Sequence, residues 1–190
     1  LYRLKSFFDP FFRSQLTDWR RLERYLAIDN LKAKTIVKHA GEKEYFLRFI
    51  LKGAAVIQVK QGTREVCFDL CFEDEFLSDF ESLNRDKPTN IQIQTFEPVR
   101  ALLVNRANLF RVYQASDFGS QLRSALAEQQ NQRNHKNNIG YLGRNTAERY
   151  LKLLKERPEV LLRTPQHYIA SYLGVSTENL SRIRKKLGRK

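Results

Sequence analysis

A chain of 190 residues that is 42% hydrophobic and 12% aromatic can bury a substantial core, which excludes a disordered basic tail. Its formal net charge is +13, from 34 Lys and Arg residues against 21 Asp and Glu residues. Residues 143–190 hold 12 of the basic and 4 of the acidic residues, so positive charge is concentrated in the last quarter, as contact with phosphates requires.

The sequence predicts a cytoplasmic protein without membrane contact. No apolar run approaches the ~20 residues of a membrane span, and no signal-peptide pattern opens the chain.

Cys67 and Cys71 fall in a strand-like run, ~13 Å apart on one face at ~3.3 Å per residue, which is too far for a disulfide. We expect buried, reduced thiols. Met is absent, which indicates a chain that is incomplete or processed.

The N-terminal half predicts one helix followed by short strands. Residues 1–15 show no clear period, whereas apolar residues recur at helical spacing from Thr17 to about Ile28. Short segments rich in β-branched and aromatic residues, separated by turn residues, then follow at 34–39, 45–51, 54–60, 64–72, 91–96 and 99–104. With Gln61-Gly62-Thr63 as a hairpin signal, this pattern predicts an antiparallel barrel or sandwich.

One long segment, residues 74–90, interrupts these strands and is helical in its middle. Loops of this length in compact domains are often functional. Acidic residues in and beside it would suit a metal, but no histidine accompanies them. We therefore expect no metal and a solvated acidic face made by Glu73, Asp74, Glu75, Asp79 and Glu81.

From about Arg106 towards Ile139 the pattern is helical, with a narrow apolar seam followed by a strongly polar run. A long helix with such a seam is typically a pairing surface; the seam residues are Phe118, Leu122, Ala125 and Leu126. Asn145 and Glu148 form a capping-box signal for a helix that Pro158 ends, with inward positions at Ala147, Tyr150, Leu151 and Leu154. We expect a domain boundary near Tyr141-Leu142-Gly143.

The C-terminal segment from Thr164 to Leu187 predicts two short helices joined by a tight turn. Thr164 is suited to N-cap a helix that starts at Pro165, and Gly174 stands where a C′ residue turns left-handed. A second helix capped by Ser176 follows, with an apolar stripe at Leu180, Ile183 and Leu187. This spacing is typical of a helix-turn-helix, whose second helix enters the DNA major groove.

Two simpler interpretations compete with DNA binding. An ordinary helical hairpin would also be capped and amphipathic, but it would not need the basic residues on surfaces that the apolar stripe leaves free. A basic membrane-surface helix would expose a broad apolar face to lipid, and here that face is needed for packing. We therefore favour DNA binding.

The order of these elements resembles the CRP/FNR family of bacterial transcription regulators over nearly the whole chain. The matching pieces are ILKG at 50–53, DEFLSDFESL at 74–83, AERYLKLL at 147–154 and, most specifically, PQHYIASYLGVSTENLSRIRKKL at 165–187. Together they are similar to the Bacteroidetes-type branch of the family. The resemblance implies an α+β fold: a cyclic-nucleotide-binding-like antiparallel β-barrel or jelly-roll (1–108), a long dimerisation helix and hinge (109–142), and a winged-helix-like helix-turn-helix domain (143–190).

The second helix of the pair resembles the FNR-type pattern Glu-x-x-Ser-Arg, here Glu178, Ser181 and Arg182. Arginine can donate two bonds to guanine O6 and N7, and glutamate can accept one from cytosine N4. Thr177 lies beside them, and Gln166 is placed for a phosphate at free backbone N–H groups. Ser176, Arg184, Lys185 and Lys186 complete the expected DNA contacts.

The sensor half departs from the cyclic-AMP pattern of the family. The Gly-Glu pair that holds the ribose falls on Ser78 and Asp79, and the Arg-Ser pair that holds the phosphate falls on Thr89 and Asn90. Without that arginine the phosphate lacks its bidentate cation. We therefore expect these four residues to line an effector pocket that does not bind cyclic AMP tightly, and we expect no cofactor.

The resemblance implies a homodimeric, sequence-specific regulator that binds near-palindromic double-stranded DNA, with RNA polymerase as a further partner and an unidentified small-molecule effector. A DNA-binding or architectural protein with a degenerate sensor barrel, independent of any effector, is the alternative. An enzyme is not expected, since no nucleophile–base pair or metal triad stands at a useful spacing.

Overall fold

The computed structural model describes residues 1–141 and 145–187. It is an α+β fold in which helices flank two four-stranded antiparallel sheets, counted over those residues. Of the expected boundary at Tyr141-Leu142-Gly143, the last two residues lie outside the described part. No helix in the described part is both long and apolar enough to cross a lipid bilayer.

The N-terminal half contains two helices, eight strands and a short third helix. In chain order these are α1 (Tyr2–Phe8), α2 (Leu16–Glu23), β1 (Ala27–Leu31), β2 (Ile36–Lys38), β3 (Phe46–Lys52), β4 (Ala55–Gln61), β5 (Arg64–Cys71), β6 (Phe76–Leu77), α3 (Phe80–Arg85), β7 (Ile91–Thr95) and β8 (Val99–Asn105). One sheet has the order β1-β8-β3-β6 and the other β2-β7-β4-β5. The prediction of short antiparallel strands is confirmed, as two sheets.

The C-terminal half contains helices and short connecting segments in its described residues. Its helices are α4 (Arg106–Ala115), α5 (Asp117–Tyr141), α6 (Thr146–Glu156), α7 (Pro158–Arg163), α8 (Gln166–Tyr172) and α9 (Thr177–Leu187). Pro158 ends the preceding helix as expected, and it also begins α7 as its first residue, where a missing N–H costs nothing.

The predicted helix in the N-terminal segment ends earlier than expected, and a second helix precedes it. The helix predicted from Thr17 to about Ile28 ends at Glu23, because β1 pairs with β8 along its whole length. The aperiodic residues before it include the helix α1. Aromatic packing stabilises this region: Phe8 stacks on the fully buried Trp19 with ring centroids 5.7 Å apart, and the Trp19 indole N–H donates to Ser14 Oγ at 2.6 Å.

Glycine is required where the turn before β4 meets the turn before β8. Gly53, in the ILKG segment, has φ +96°, and a Cβ there would lie 1.9 Å from the backbone oxygen of Pro98. Its N–H also donates to Glu73 Oε1 at 2.8 Å. The hairpin predicted at Gln61-Gly62-Thr63 joins β4 to β5, with Gly62 at φ +62°.

The cysteines are buried and unpaired, as predicted. Burial is the main cause that raises the pKa of Cys71 to about 12. A thiol held in its neutral form is a poor nucleophile and a poor metal ligand, so Cys71 acts as a small apolar core residue.

The apolar seam of the long helix packs inside the chain, so the seam itself is not free to pair, while the role of this helix in dimerisation stays a prediction. Leu122, Ala125 and Leu126 are buried in one cluster with Leu4 and Phe8 of α1. The helical region after β8 is also divided, since α4 ends at Ala115 and Ser116 separates it from α5. An amphipathic pattern shows which face of a helix is buried, but it does not show whether that face is covered by the same chain or by a partner chain.

The capping box at the start of α6 is confirmed. Asn145 Oδ1 accepts from the Glu148 N–H, and Glu148 Oε2 accepts from the Asn145 N–H, both at 3.0 Å. The predicted inward face of α6 is partly wrong: Tyr150 is buried, but Leu151 and Leu154 are exposed and Leu153 is buried instead. Ala147 is half-buried.

Candidate nucleic-acid interface and sensor pocket

The turn between α8 and α9 has the predicted geometry. Gly174 adopts a left-handed φ of +70°, and the Val175 N–H donates to Ala170 O at 2.9 Å, which satisfies a carbonyl at the end of α8. Ser176 Oγ accepts from the Asn179 N–H at 3.2 Å, which caps α9 as expected.

The predicted start of α8 is one residue early. Pro165 is the N-cap rather than the first helical residue, and no side chain caps the helix. Thr164 instead ends α7, and its buried Oγ1 has no hydrogen-bond partner among the described residues. The capping role expected of the threonine side chain is therefore not used.

One face of α9 packs on α8 while the opposite face is left open. Leu180 is fully buried against Ile169 and Ala170, and Ile183 and Leu187 are partly buried in the same cluster. The small Ala170 permits the two helices to approach. This arrangement holds α9 rigidly by its apolar stripe.

The residues predicted to contact DNA are mostly accessible. Thr177 and Ser181 are half-buried. The exposed members of the set are Gln166, Ser176, Glu178, Arg182, Arg184, Lys185 and Lys186. Glu178 and Arg182 are four residues apart on one helix and therefore share a face.

The Glu178 carboxylate is held ionised at the beginning of α9. Hydrogen bonds from its own backbone N–H, and then from the Ser176 and Thr177 hydroxyls, lower its pKa. The Thr177 hydroxyl donates to Glu178 Oε1 at 3.1 Å. Glu178 therefore presents a hydrogen-bond acceptor at neutral pH, beside the donor group of Arg182.

The structure brings together three of the four predicted effector-pocket residues. Asp79 is fully buried and caps α3 by accepting from the Ser82 N–H at 3.1 Å, and the Thr89 hydroxyl donates to Asp79 Oδ2. Ser78 is buried beside it and donates to Phe46 O at 3.0 Å. Asn90 is exposed and does not join this group.

A lysine that sequence reasoning missed completes the group. Lys38 Nζ lies 3.1 Å from Asp79 Oδ2, with the two side chains 1% and 0% exposed. It also donates to Thr89 Oγ1 at 3.2 Å and to Ile91 O at 2.8 Å. We call Lys38, Asp79 and Thr89 the buried triad; their polar atoms bond one another.

A small cavity remains between this region and α5. Its volume is about 200 Å³, and its walls include Ser78, Asp79, Gln130, Arg133 and Asn134. Pockets that bury a drug-sized ligand usually measure ~300–1,000 Å³. The space next to the buried triad is thus smaller than a typical ligand site.

Arginines of the C-terminal half bind Glu73 and Glu75, so the prediction of a solvated acidic face is wrong for these two residues and for the buried Asp79. It holds for Asp74 and Glu81, which are exposed. Arg163 of α7 donates to both Glu73 oxygens, at 2.7 and 2.9 Å, and to both Glu97 oxygens, at 3.0 and 2.5 Å. Arg157 and Arg133 both reach Glu75, at 2.9 and 3.2 Å. These bonds fix the C-terminal helices to the sheets.

Backbone and apolar contacts reinforce this docking. The Cys67 N–H of β5 donates to Ser171 Oγ of α8 at 2.9 Å. Val56, Leu70 and Phe72 of the sheet region share one buried cluster with residues of α6 to α9. No pattern of spacing within the sequence predicts these pairs, because each joins residues far apart in the chain.

We expect the Glu73–Arg163 contact to make stability depend on pH in the acid range. Hydrogen bonds from Arg163 are the main cause that lowers the pKa of Glu73 from its ordinary 4.5 to about 2. A depressed folded-state pKa gives stability that is full above pH ~4.5 and is lost as pH falls through ~2. As the pH falls between those values, the free energy of unfolding of the parent should decrease by on the order of 1–2 kcal/mol more than that of Glu73→Gln, allowing for solvent screening.

Urea unfolding at a series of pH values measures this difference. Glu81→Gln is the matched control, because it removes an exposed carboxylate paired only within α3, with Arg85, among the residues described. The control should follow the parent at every pH. If the free energy of unfolding of the parent and of Glu73→Gln changed in parallel with pH, the Glu73–Arg163 contact would contribute nothing to the pH dependence of stability.

Comparison with known proteins gives the fold. No protein-family model and no curated protein matches the sequence. The c-di-GMP responsive global regulator CLP of Xanthomonas campestris superposes with a TM-score of 0.72 at 17% identity, covering 92% of each chain. FixK2 from Bradyrhizobium japonicum gives 0.71 at 16% identity, covering 86% of this chain and 85% of its own.

A third structure is similar to the same extent. A transcriptional regulator of the CRP/FNR family from Eubacterium rectale gives a TM-score of 0.72 at 13% identity, covering 92% of this chain and 84% of its own. Each of these matches covers more than four fifths of the chain. The chain has the fold of the CRP/FNR transcription regulators.

Proposed function

We propose that this protein is a sequence-specific, DNA-binding transcription regulator that acts as a homodimer. The observation that carries the proposal is the exposed face of α9, where Glu178 and Arg182 stand above a stripe buried at Leu180. The solved structures with this fold include proteins named as regulators. The α8–α9 pair acts as a helix-turn-helix, and two copies meet successive major grooves ~34 Å apart.

Base reading is assigned to the first two turns of α9. Arg182 donates to a guanine, Glu178 accepts from a cytosine, and Ser181 and Thr177 offer hydroxyls to neighbouring bases. The remaining contacts are to phosphates, which position the helix without reading sequence; they are made by Gln166, Ser176, Arg184, Lys185 and Lys186.

Arg182→Ala is expected to weaken binding to the best DNA site by about 1–3 kcal/mol and to relax preference at one base pair. The reason is the loss of a bidentate donor from an exposed side chain that contributes nothing to the buried stripe. The measurement is fluorescence anisotropy with a duplex obtained by in-vitro selection from random DNA, repeated with single-base variants of that duplex.

Lys185→Ala provides the matched control for Arg182→Ala. It removes one positive charge from the same helix, and it should weaken all duplexes about equally while lowering the salt dependence of binding. If Arg182→Ala also weakened selected and random DNA equally, Arg182 would not read a base.

The homodimer is inferred from the geometry of paired major-groove contacts. Since the apolar seam of α5 packs inside the chain, pairing through this long helix would use its other faces. Exposed leucines are available on α6 and α7, at Leu151, Leu154 and Leu162. Light scattering coupled to size-exclusion chromatography, with and without the selected duplex, measures the oligomeric state. A monomer in both samples would contradict the proposed homodimer.

The effector of this regulator is an unidentified small molecule other than cyclic AMP. Thr89 and Asn90 occupy the positions where the Arg-Ser pair would hold a cyclic phosphate, and the Thr89 hydroxyl is bound to Asp79. The cation beside them, Lys38, is committed to the same carboxylate. The Asp79 carboxylate would repel a cyclic phosphate, because Lys38 is already paired with that carboxylate and does not bind the phosphate instead.

The buried triad also favours a second candidate function, an effector-independent DNA-binding protein with a degenerate sensor. In that case the sheets would serve only as a scaffold. A screen of metabolites and nucleotides, cyclic AMP included, separates the two. A compound that raises both the melting temperature and the DNA affinity excludes the second candidate, as linkage requires; a screen without such a compound favours it.

A further inference from the structure

A larger cavity lies where the sheet-bearing half meets the C-terminal helices. Its volume is about 360 Å³, within the ~300–1,000 Å³ of pockets that bury small ligands. Phe7 and Phe11 close it on the N-terminal side, α5 contributes Gln129, Gln132 and Arg133, and helices α6 and α8 form the opposite wall. The cavity is therefore built from both halves of the molecule.

The walls carry an excess of positive charge. Four cations line the cavity with the two carboxylates Glu75 and Glu156; the cations are Arg133, Arg149, Lys152 and Arg157. Two of these cations also have acidic partners outside the lining: Arg133 pairs with Asp69, and Arg157 pairs with Glu159. Glu75 already accepts from both Arg133 and Arg157. Lys152 is only weakly engaged, with its Nζ 3.9 Å from Glu156 Oε2 and its side chain 28% exposed. The cavity can therefore accept an anion.

The remaining walls are apolar or aromatic, with one polar atom left over. Phe7, Phe11, Leu153 and Leu173 supply carbon surface. The carboxamide oxygen of Gln129 is buried with no hydrogen-bond partner among the residues that the structure describes, and such an atom gains stability from a donor. A ligand with a flat apolar body, an acidic group and a hydrogen-bond donor satisfies all three features.

We propose that this cavity, rather than the space beside the buried triad, is the effector site, and that it takes a small organic anion with an aromatic or apolar body. The inference rests on the proposed function, because an effector needs a DNA-binding output to control. A ligand there contacts α5 on one side and α6 and α8 on the other. Its binding energy thus acts on the position of the helices that carry α9.

The probe for the test is 1-anilinonaphthalene-8-sulfonate, an aromatic anion with an amine donor whose fluorescence rises in apolar surroundings. N-phenyl-1-naphthylamine has the same rings without the sulfonate and serves as the neutral counterpart. Titration of the full chain should show saturable binding of the sulfonate at one site per chain. The neutral compound should bind about tenfold more weakly, because it lacks the charge that the four cations attract.

Two variants locate the site, and a third is their control. Lys152→Glu reverses a charge on the cavity wall and should weaken sulfonate binding about tenfold. Lys155→Glu makes the same change on the same helix at an exposed position outside the cavity, and should change the affinity less than about twofold. Gln132→Trp fills the opening from an exposed position whose side chain bonds Glu128 of its own helix, and should abolish binding.

Each outcome decides one claim. Absence of saturable binding, or equal weakening by Lys152→Glu and Lys155→Glu, overturns the cavity as an anion site. Binding of the sulfonate without any change in affinity for the selected duplex overturns its role as the effector site. Binding of the sulfonate by a protein that does not bind DNA contradicts the proposed function and leaves the anion site standing, so the two failures are distinguishable.

Discussion

Replacing Lys38 by Met should cost about 3–5 kcal/mol of unfolding free energy, the range measured when one partner of a buried ion pair is removed. The Asp79 carboxylate would then be buried with its charge uncompensated, since both side chains are inaccessible to water. Met preserves most of the apolar stem, so the loss reports on the ammonium group. Urea denaturation monitored by circular dichroism measures it.

The double variant Lys38→Met/Asp79→Asn separates charge from packing. The introduced asparagine would still cap α3 through its side-chain oxygen, as Asp79 does for the Ser82 N–H, but it carries no charge to bury. We expect the double variant to be more stable than Lys38→Met alone. A Lys38→Met variant within about 1 kcal/mol of the parent would show that the ion pair is not what holds this part of the sheet region together.

Gly53→Ala should be at least as damaging, with an expected loss of about 4 kcal/mol or more. The added Cβ would lie 1.9 Å from the backbone oxygen of Pro98, and neither backbone can move without disturbing β4 or β8. The Gly53 N–H bond to Glu73, and through it the contact with Arg163, would be displaced as well. Denaturant unfolding of the purified variant gives the free energy.

Gly41→Ala is the matched control for this steric argument. Gly41 has a similar φ of +88°, but a Cβ there would meet nothing within 4 Å. It should therefore cost only the ~1–2 kcal/mol of placing an L-residue in the left-handed region. Equal losses at the two positions would mean that backbone conformation, not the approach of Pro98, sets the requirement for glycine.

Local signals in the sequence predicted local structure well. The capping box at Asn145 and Glu148, the left-handed Gly174 and the cap at Ser176 each depend on residues within a few positions of one another, and each is present in the structure. The β4–β5 hairpin was predictable for the same reason, since its signal lies between two neighbouring strands, whereas the other strand pairs join segments that are not consecutive in the chain. The start of α8 was misplaced because its proline and threonine chemistry admits two adjacent registers.

Features made by distant residues could not be read in this way. The carboxylate partner of Lys38 lies far from it in sequence, and only the folding of the 74–90 segment brings Asp79 to it. The same holds for Arg133, Arg157 and Arg163, whose acidic partners lie in or beside the sheets. The sequence did offer one signal for these ion pairs: a cluster of acidic residues in a chain with a large excess of Lys and Arg residues.

The docking of α8 on β5 bears on self-association. β5 is the last strand of its sheet, and the Ser171 side chain occupies one of its free amide groups, at Cys67. Uncovered edge strands pair readily with those of other molecules, which is a route to aggregation, and β5 also exposes the apolar Val66 and Phe68. A chain whose C-terminal helices were not docked on β5 would leave this edge and the apolar Val66 and Phe68 uncovered, so the docking of α8 also protects the protein from edge-to-edge pairing.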